Sequence, residues 1–243
     1  MDIYGRALLD RQAGRDGPPI TIRRDDGHTD THGAAFYFQP DPMPNEAALL
    51  ADAREPVLDV GCGAGRSILS LTALGLDAYG VDASPGAVRV CRARGCRHVT
   101  EADVMTNDLP DDWPAFATVL LFGNNIGIGG TPEGVVRLLR RLRGWTTAEA
   151  RVLLTAIDVE RTDDPRHLAN HARNRAAGRP PGQIEIRLEY NGAIGPWHRW
   201  LHPTPEELET FAGAAGWRLG RIVGVGAFYG AVLRATPWDE THG

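Results

Sequence analysis

The stretch "VLDVGCGAGRS", Val57 to Ser67, decides how the rest of the chain is read. An apolar run ends in Asp59, and glycines then stand at every second position, at Gly61, Gly63 and Gly65. Glycines directly after a buried strand let the backbone turn sharply into a helix, and they let a ligand approach the main chain with no Cβ in the way. In open parallel sheets such ligands sit beyond the carboxyl ends of the strands. The spacing is not the dinucleotide fingerprint G-x-G-x-x-G, because Arg66 stands where its last glycine belongs. Asp59 would repel a pyrophosphate and suits a ligand that carries positive charge nearby.

Working outward, strands alternate with helices. "LDAYGVD" reads as the next strand and ends in Asp82. "SPGAVRVCRARG" is a helix with Ser84 as N-cap, Pro85 at its first position and Gly95 past its end. A short strand in "RHVTEADV", a buried strand "FATVLLFG", a helix capped by Thr131 and a strand "ARVLLTAID" follow. This alternation predicts a parallel sheet with helices on both faces. Upstream, a helix is expected near Ile3 to Arg11, a short strand in "PITIRRDDG", and a helix capped by Asn45 and reaching about Ala53. After Asp158 the alternation breaks. A helix near His167 to Ala177 is followed by "QIEIRLEYNG", whose alternation predicts a half-buried antiparallel strand. A helix capped by Thr204 and two final strands close the chain.

With 243 residues, 42% hydrophobic and 23% charged, the composition suits a globular fold with a sizeable core. No apolar run approaches the roughly 20 residues that span a bilayer, and no leader pattern is visible, so a cytoplasmic protein is expected. The net charge of -5 argues against a nucleic-acid partner. The arginines of "RLLRRLRG" read as the solvated face of an amphipathic helix. All 26 basic residues are arginine, which excludes lysine Schiff-base chemistry and the lysine-containing phosphate loop. Three cysteines, Cys62, Cys91 and Cys96, form no C-x-x-C pair, so neither a disulfide framework nor a metal site is expected. Three histidine pairs at i, i+4 (His28/His32, His167/His171 and His198/His202) read as surface residues.

At this point the sequence resembles the class I S-adenosylmethionine-dependent methyltransferases. "VLDVGCGAG" matches their first motif, "YGVDASPGAV" resembles the second, "EADVM" the third, and "VLLFGNNIG" stands where the family places its strand-four motif. The resemblance covers Pro56 to about Asp158, plus a helix and two strands at the C-terminus. It implies a Rossmann-like, doubly wound, mostly parallel seven-stranded sheet with an antiparallel C-terminal strand, and S-adenosylmethionine as cofactor, released as S-adenosylhomocysteine. By the family pattern Asp59, Gly61, Cys62, Gly63 and Gly65 hold its methionine end. Asp82 and Ala83 take the ribose, Asp103 and Val104 the adenine, and Gly123 and Asn124 face the methyl group.

The place after strand four lacks the Asn/Asp-Pro-Pro-aromatic pattern that the family uses for nucleobase amine methylation, so a small-molecule acceptor, for example a specialised metabolite, is the expected substrate. "ITIRRDDG" and "QIEIRLEYNG" are expected to pair as a small antiparallel lid, with "GPWHRWLHPT" at the same mouth. Asn125, Trp197 and Tyr190 are substrate candidates. His198, His202, Tyr37 and His32 are candidate bases for acceptors that need one. The expected organisation is 1–55 as an extension contributing to the lid, 56–158 as the cofactor core, 159–202 as a lid insertion, and 203–243 completing the core. A monomer or homodimer is expected. Three other readings stay open: a non-methylating enzyme of the same fold, a non-enzymatic adenosyl-ligand sensor, and, more weakly, an NAD-dependent oxidoreductase. Protein or RNA acceptors also stay open within the leading reading.

Overall fold

The computed structural model describes residues 1–224 and 226–237. In chain order the elements are α1 (Ile3–Gln12), β1 (Ile20–Arg24), β2 (Thr29–His32), α2 (Pro44–Leu50), β3 (Val57–Val60), α3 (Arg66–Ala73), β4 (Ala78–Asp82), α4 (Pro85–Ala93), β5 (His98–Glu101) and β6 (Phe116–Leu121). There follow α5 (Pro132–Gly144), β7 (Thr146–Ile157), α6 (Pro165–Ala176), β8 (Gln183–Tyr190), β9 (Ala193–Ile194), β10 (His198–Leu201), α7 (Pro205–Ala214), β11 (Trp217–Val223) and β12 (Phe228–Ala235).

The main sheet has seven strands in the order β11-β12-β7-β6-β3-β4-β5. Neighbours from β7 to β5 run parallel, and β12 alone is reversed, antiparallel to both β7 and β11. This is a Rossmann-like α/β fold, as the alternation predicts. All four residues of β3 are buried, Asp59 included, which is why its other three positions are apolar. Trp217 ties β11 to α5: its ring is buried and its Nε1 donates to the Leu139 carbonyl at 3.0 Å. No helix among the described residues is long and apolar enough to cross a membrane.

Local chemistry explains the helix starts. Ser84 accepts from the Ala87 amide, Thr131 from the Gly134 amide, and Thr204 forms a reciprocal box with Glu207. Asn45 does not cap α2. The N-cap is Met43, whose amide donates to the Glu46 carboxylate at 2.8 Å, because Pro44 takes the first helical position and needs no partner. Asn45 instead donates to the Phe228 carbonyl at 3.1 Å. The arginines of α5 are not simply solvated. Arg140 and Arg141 hydrogen-bond main-chain carbonyls of α7 and of the loop after β5, and Arg143 is buried.

The second sheet is antiparallel, in the order β10-β8-β1-β2, with β9 also on β8. Its first two strands precede the main sheet in sequence and the others interrupt it between β7 and β11, and β1 meets β8 with Ile22 opposite Leu188 and Arg24 opposite Ile186. Residues directly opposite share a face. Ile22, Leu188, Ile186, Ile184, His198 and Trp200 therefore lie on one face, together with buried Arg24 and exposed Asp30. Arg23, Arg187 and Glu189 lie on the other, joined by ion pairs.

Two anchors show that the first face is the inner one. At one end Ile20 and Tyr190 pack with Ile3 and Ala7 of α1. At the other end Trp200 lies so close to Gly127, in the turn after β6, that a Cβ there would strike the indole. Gly127→Ala is therefore expected to displace Trp200 and destabilise the protein by about 1–3 kcal/mol, the range for overpacking. A thermal melt checks this, and an unchanged melting temperature would mean the indole moves freely.

Candidate active site

The glycine loop has the backbone its sequence requires. Gly61, Gly63 and Gly65 have φ of +71°, +55° and +79°, a region that other residues enter at a cost. Each is also crowded: a Cβ on Gly61 would strike the Asn125 amide, one on Gly63 would lie 2.6 Å from the Tyr4 hydroxyl, and one on Gly65 would lie 2.6 Å from the thiols of Cys91 and Cys96. Cys62, Cys91 and Cys96 are thus gathered beneath the loop, all free and buried. Burial and the neighbouring carboxylates help push the Cys62 thiol upward.

Two carboxylates end the strands beside this loop. Asp82 is 8% exposed and accepts from the Gly63 and Ser84 amides, both at 2.8 Å. Burial nevertheless raises its carboxyl to about 6, against the lowering effect of those two hydrogen bonds. Asp59 is 3% exposed, and burial raises it to about 7, with the Arg66 guanidinium pulling the other way and Glu46 and Asp82 adding to the rise. Arg66 does not face the ligand cradle. It forms a buried bidentate pair with Glu46 at 2.6 and 2.7 Å. A cradle with two buried, reluctant carboxylates is one that gains from a cationic ligand.

The turn after β6 contributes differently from its two asparagines. Gly123 and Asn124 both take positive φ, +67° and +65°, and the Gly123 amide donates to Thr155 Oγ1 at 2.9 Å. Asn125 donates to the Val60 and Gly61 carbonyls at 2.8 and 3.2 Å, so its amide group staples the turn to the glycine loop. In the third motif Asp103 is exposed and accepts from the Met105 amide at 2.9 Å, while the Val104 side chain is buried in the main core. Ala83 is exposed directly after β4.

Among the substrate and base candidates, Trp197 lies beneath the Arg187 guanidinium, 4.8 Å from its ring centre. That puts it on the outer side, because Arg187 belongs to the outer face. Trp200 is the tryptophan on the inner face. Tyr190 is on the inner face but buried against α1, with its hydroxyl donated to Asp10 at 3.1 Å. Tyr37 packs edge-on against Tyr4, with ring centres 5.0 Å apart. His198 is exposed on the inner face, and His32 is exposed on β2. Burial and the Arg24 charge push His202 down to about 4, so it is neutral at pH 7.

The structure records no contact among His198, His202 and Tyr37. The surface reading of the histidine pairs needs correction. The His171 residue and the His28 side chain are buried, and His28 meets His167 edge-on with their Nε2 atoms 3.4 Å apart. Pairing β2 with β1 and laying α6 near that hairpin bring these residues together, which i, i+4 counting does not reveal.

The sequence reading missed Tyr4. Its position on a short amphipathic segment gives no sign that α1 folds back to the glycine loop.

Residues 57–149 match the model of the methyltransferase domain family. No curated protein matches the sequence significantly. A SAM-dependent methyltransferase from Bacteroides fragilis, solved with S-adenosyl-L-homocysteine, is 22% identical and superposes with a TM-score of 0.80 over 97% of this chain and 95% of its own. The CcbJ methyltransferase from Streptomyces caelestis is 16% identical, with a TM-score of 0.66 over 96% and 98%. CalS10, an amino pentose methyltransferase from Micromonospora echinaspora solved with SAM, is 18% identical, with a TM-score of 0.53 over 84% and 95%. The domain match falls on the strands and loops that build the carboxylate-lined cradle, and over nearly its whole length the chain shares the fold of a SAM-dependent methyltransferase.

Proposed function

We propose that the protein transfers the methyl group of S-adenosylmethionine to a small molecule bound between the small sheet and the carboxyl ends of the main sheet. The observation that carries this reading is the inner face of the small sheet. It presents Ile22, Ile184, Ile186 and Leu188, all half-buried, with Trp200, exposed His198 and, as its charged members, buried Arg24 and exposed Asp30. An apolar wall with few polar groups suits a small organic acceptor. The amino pentose methyltransferase among the structural neighbours is one such enzyme, and an acceptor from specialised metabolism fits the same reading.

In this assignment residues 56–158 hold the donor, and 1–55 and 159–202 build the acceptor side. Asp82 accepts the ribose hydroxyls, the main chain of Gly61 to Gly65 cradles the methionine end, and Asp103 meets the adenine. When bound, the donor supplies a methyl carbon whose bond to sulfur breaks as the acceptor's lone pair attacks, the bonding electrons leaving with sulfur. The chain's own contribution is alignment and exclusion of water. Asn124 sets the turn at the mouth, Asn125 locks it to the glycine loop, and Trp200 closes the side. His198 is the proposed base where the acceptor is a hydroxyl.

Incubation with S-adenosylmethionine and panels of amines, phenols and alcohols is the test, with product mass as readout. Gain of one methylene on a small acceptor supports the reading. Labelling of protein or RNA alone, or donor consumption without methyl gain, overturns it.

The raised carboxyls make binding pH-dependent. Asp82 must be ionised to accept two hydroxyls, yet the free protein holds its proton below pH of about 6. Donor affinity is therefore expected to fall roughly tenfold per pH unit below that point. S-adenosylhomocysteine, lacking the sulfonium charge, is expected to lose less. Calorimetry across pH 5 to 8 reads both, and binding near pH 6 releases protons. A flat profile would mean the carboxylates do not touch the ligand.

A further inference from the structure

We propose that Tyr4 is a donor-site residue, its hydroxyl contacting the methionine end of bound S-adenosylmethionine at Gly63, and that Asp2 locks α1 in place to hold it there. This rests on the assignment of the glycine loop as the donor cradle. Nothing in the four sequence motifs involves the first helix. The structure lays it against the glycine loop.

Three observations converge on Tyr4. Its hydroxyl sits against Gly63, where an added Cβ would lie 2.6 Å away. The Asp82 and Asp59 carboxylates are close enough to help push the phenol upward, after burial and Tyr37. Among the described residues the hydroxyl has no hydrogen-bond partner, although a phenol can both donate and accept. The methionine end of the donor carries an ammonium and a carboxylate, and a phenol hydroxyl can pair with either.

The placement is held rigidly. Tyr4 and Leu8 lie one turn apart on α1 and pack with Ala64 of the glycine loop and with Ala87 and Val90 of α4. On its neighbouring face α1 carries Ile3 and Ala7 against the small sheet, so one helix touches both the donor loop and the acceptor wall. Asp2 caps α1 by accepting from the Gly5 amide at 2.8 Å, and it also accepts from the Ser84 hydroxyl and the Gly86 amide at 2.9 Å. One carboxylate thus joins the starts of two helices beside the Asp82 loop. The approach is close enough that a Cβ on Gly86 would lie 2.6 Å from the Gly5 Cα.

The test is calorimetry with S-adenosylmethionine and S-adenosylhomocysteine on wild type, Tyr4→Phe and Asp82→Asn, with thermal melts as fold control. Tyr4→Phe keeps the ring and removes only the hydroxyl. It is expected to weaken donor binding about fivefold to tenfold, the range of one hydrogen bond, with little change in melting temperature. Wild-type affinity in Tyr4→Phe overturns the proposal, since a purely packing role needs only the ring. If Asp82→Asn abolishes binding while Tyr4→Phe does not alter it, the Tyr4 contact alone is wrong. If neither variant alters it, the donor cradle itself is misassigned. Hydrogen exchange on wild type needs no variant. S-adenosylhomocysteine is expected to slow exchange in α1 together with α4, and protection confined to 57–104 would overturn the proposal.

Discussion

Replacing Asp82 by alanine is expected to raise the dissociation constant for S-adenosylmethionine at least about a hundredfold, because hydrogen bonds to a charged acceptor contribute about 1.5–3 kcal/mol each and two are lost. The effect is compounded inside the free protein. Asp82 also accepts the Gly63 and Ser84 amides, so alanine removes the group that shapes the glycine loop and starts the turn into α4. Asp82→Asn separates the two contributions, since it keeps one acceptor oxygen and loses the charge. It is expected to bind better than alanine and to lose the pH dependence near 6. Calorimetry on the three proteins checks this. An alanine variant that binds normally would mean that the nucleoside is held somewhere other than the end of β4.

The second large effect concerns stability. Arg66→Ala is expected to destabilise the fold by about 3–5 kcal/mol, because it leaves the Glu46 carboxylate buried without its partner. The Glu46 side chain is 3% exposed and the Arg66 side chain 14%, so water does not replace the lost pair. At about 2–4 °C per kcal/mol for a chain of this size, the melting temperature falls by roughly 6–20 °C. The double replacement Glu46→Leu with Arg66→Met is expected to recover most of the loss, since apolar residues of similar volume often substitute for a buried ion pair without cost. Arg66 is also the cation that restrains the rise of the Asp59 carboxyl. Its loss therefore couples to the cradle, and the single variant is expected to bind the donor more weakly at neutral pH. A melting temperature within about 2 °C of wild type would show that the pair contributes little.

Much of the fold is legible because each core element announces itself locally. Val57 to Val60 are apolar or pinned by Asp59, Ser84 and Thr131 occupy cap positions before prolines, and Gly61 to Gly65 alternate in a way only a tight strand–helix turn requires. The small sheet was also within reach, since alternation in β1 and β8 is a property of each strand alone. What local pattern cannot carry is which face of a paired strand turns inward. Trp197 and Trp200 are three residues apart, and only the register Trp200 opposite Ile184 places one inside while the other sits beneath Arg187. The same applies to Cys62, Cys91 and Cys96, whose convergence depends on α4 lying under the glycine loop, and to Tyr4, whose role depends on a helix returning to the middle of the chain. The histidines misled for the same reason. His28 and His167 are unrelated in spacing and meet only through the hairpin and α6.

The small sheet has a consequence for how the molecule comes to be. Its central pairing joins Arg23 to Glu189 across 166 residues, whereas the core strands pair across far shorter separations. Contacts of long separation carry a larger closure entropy and form late. Folding is therefore expected to run in two stages, with the donor core consolidating first and the acceptor wall zipping up last, and the last-formed unit is also the one that opens first. On the proposed assignment, a nascent chain on this path builds the core of its S-adenosylmethionine cradle before the wall proposed to face the acceptor.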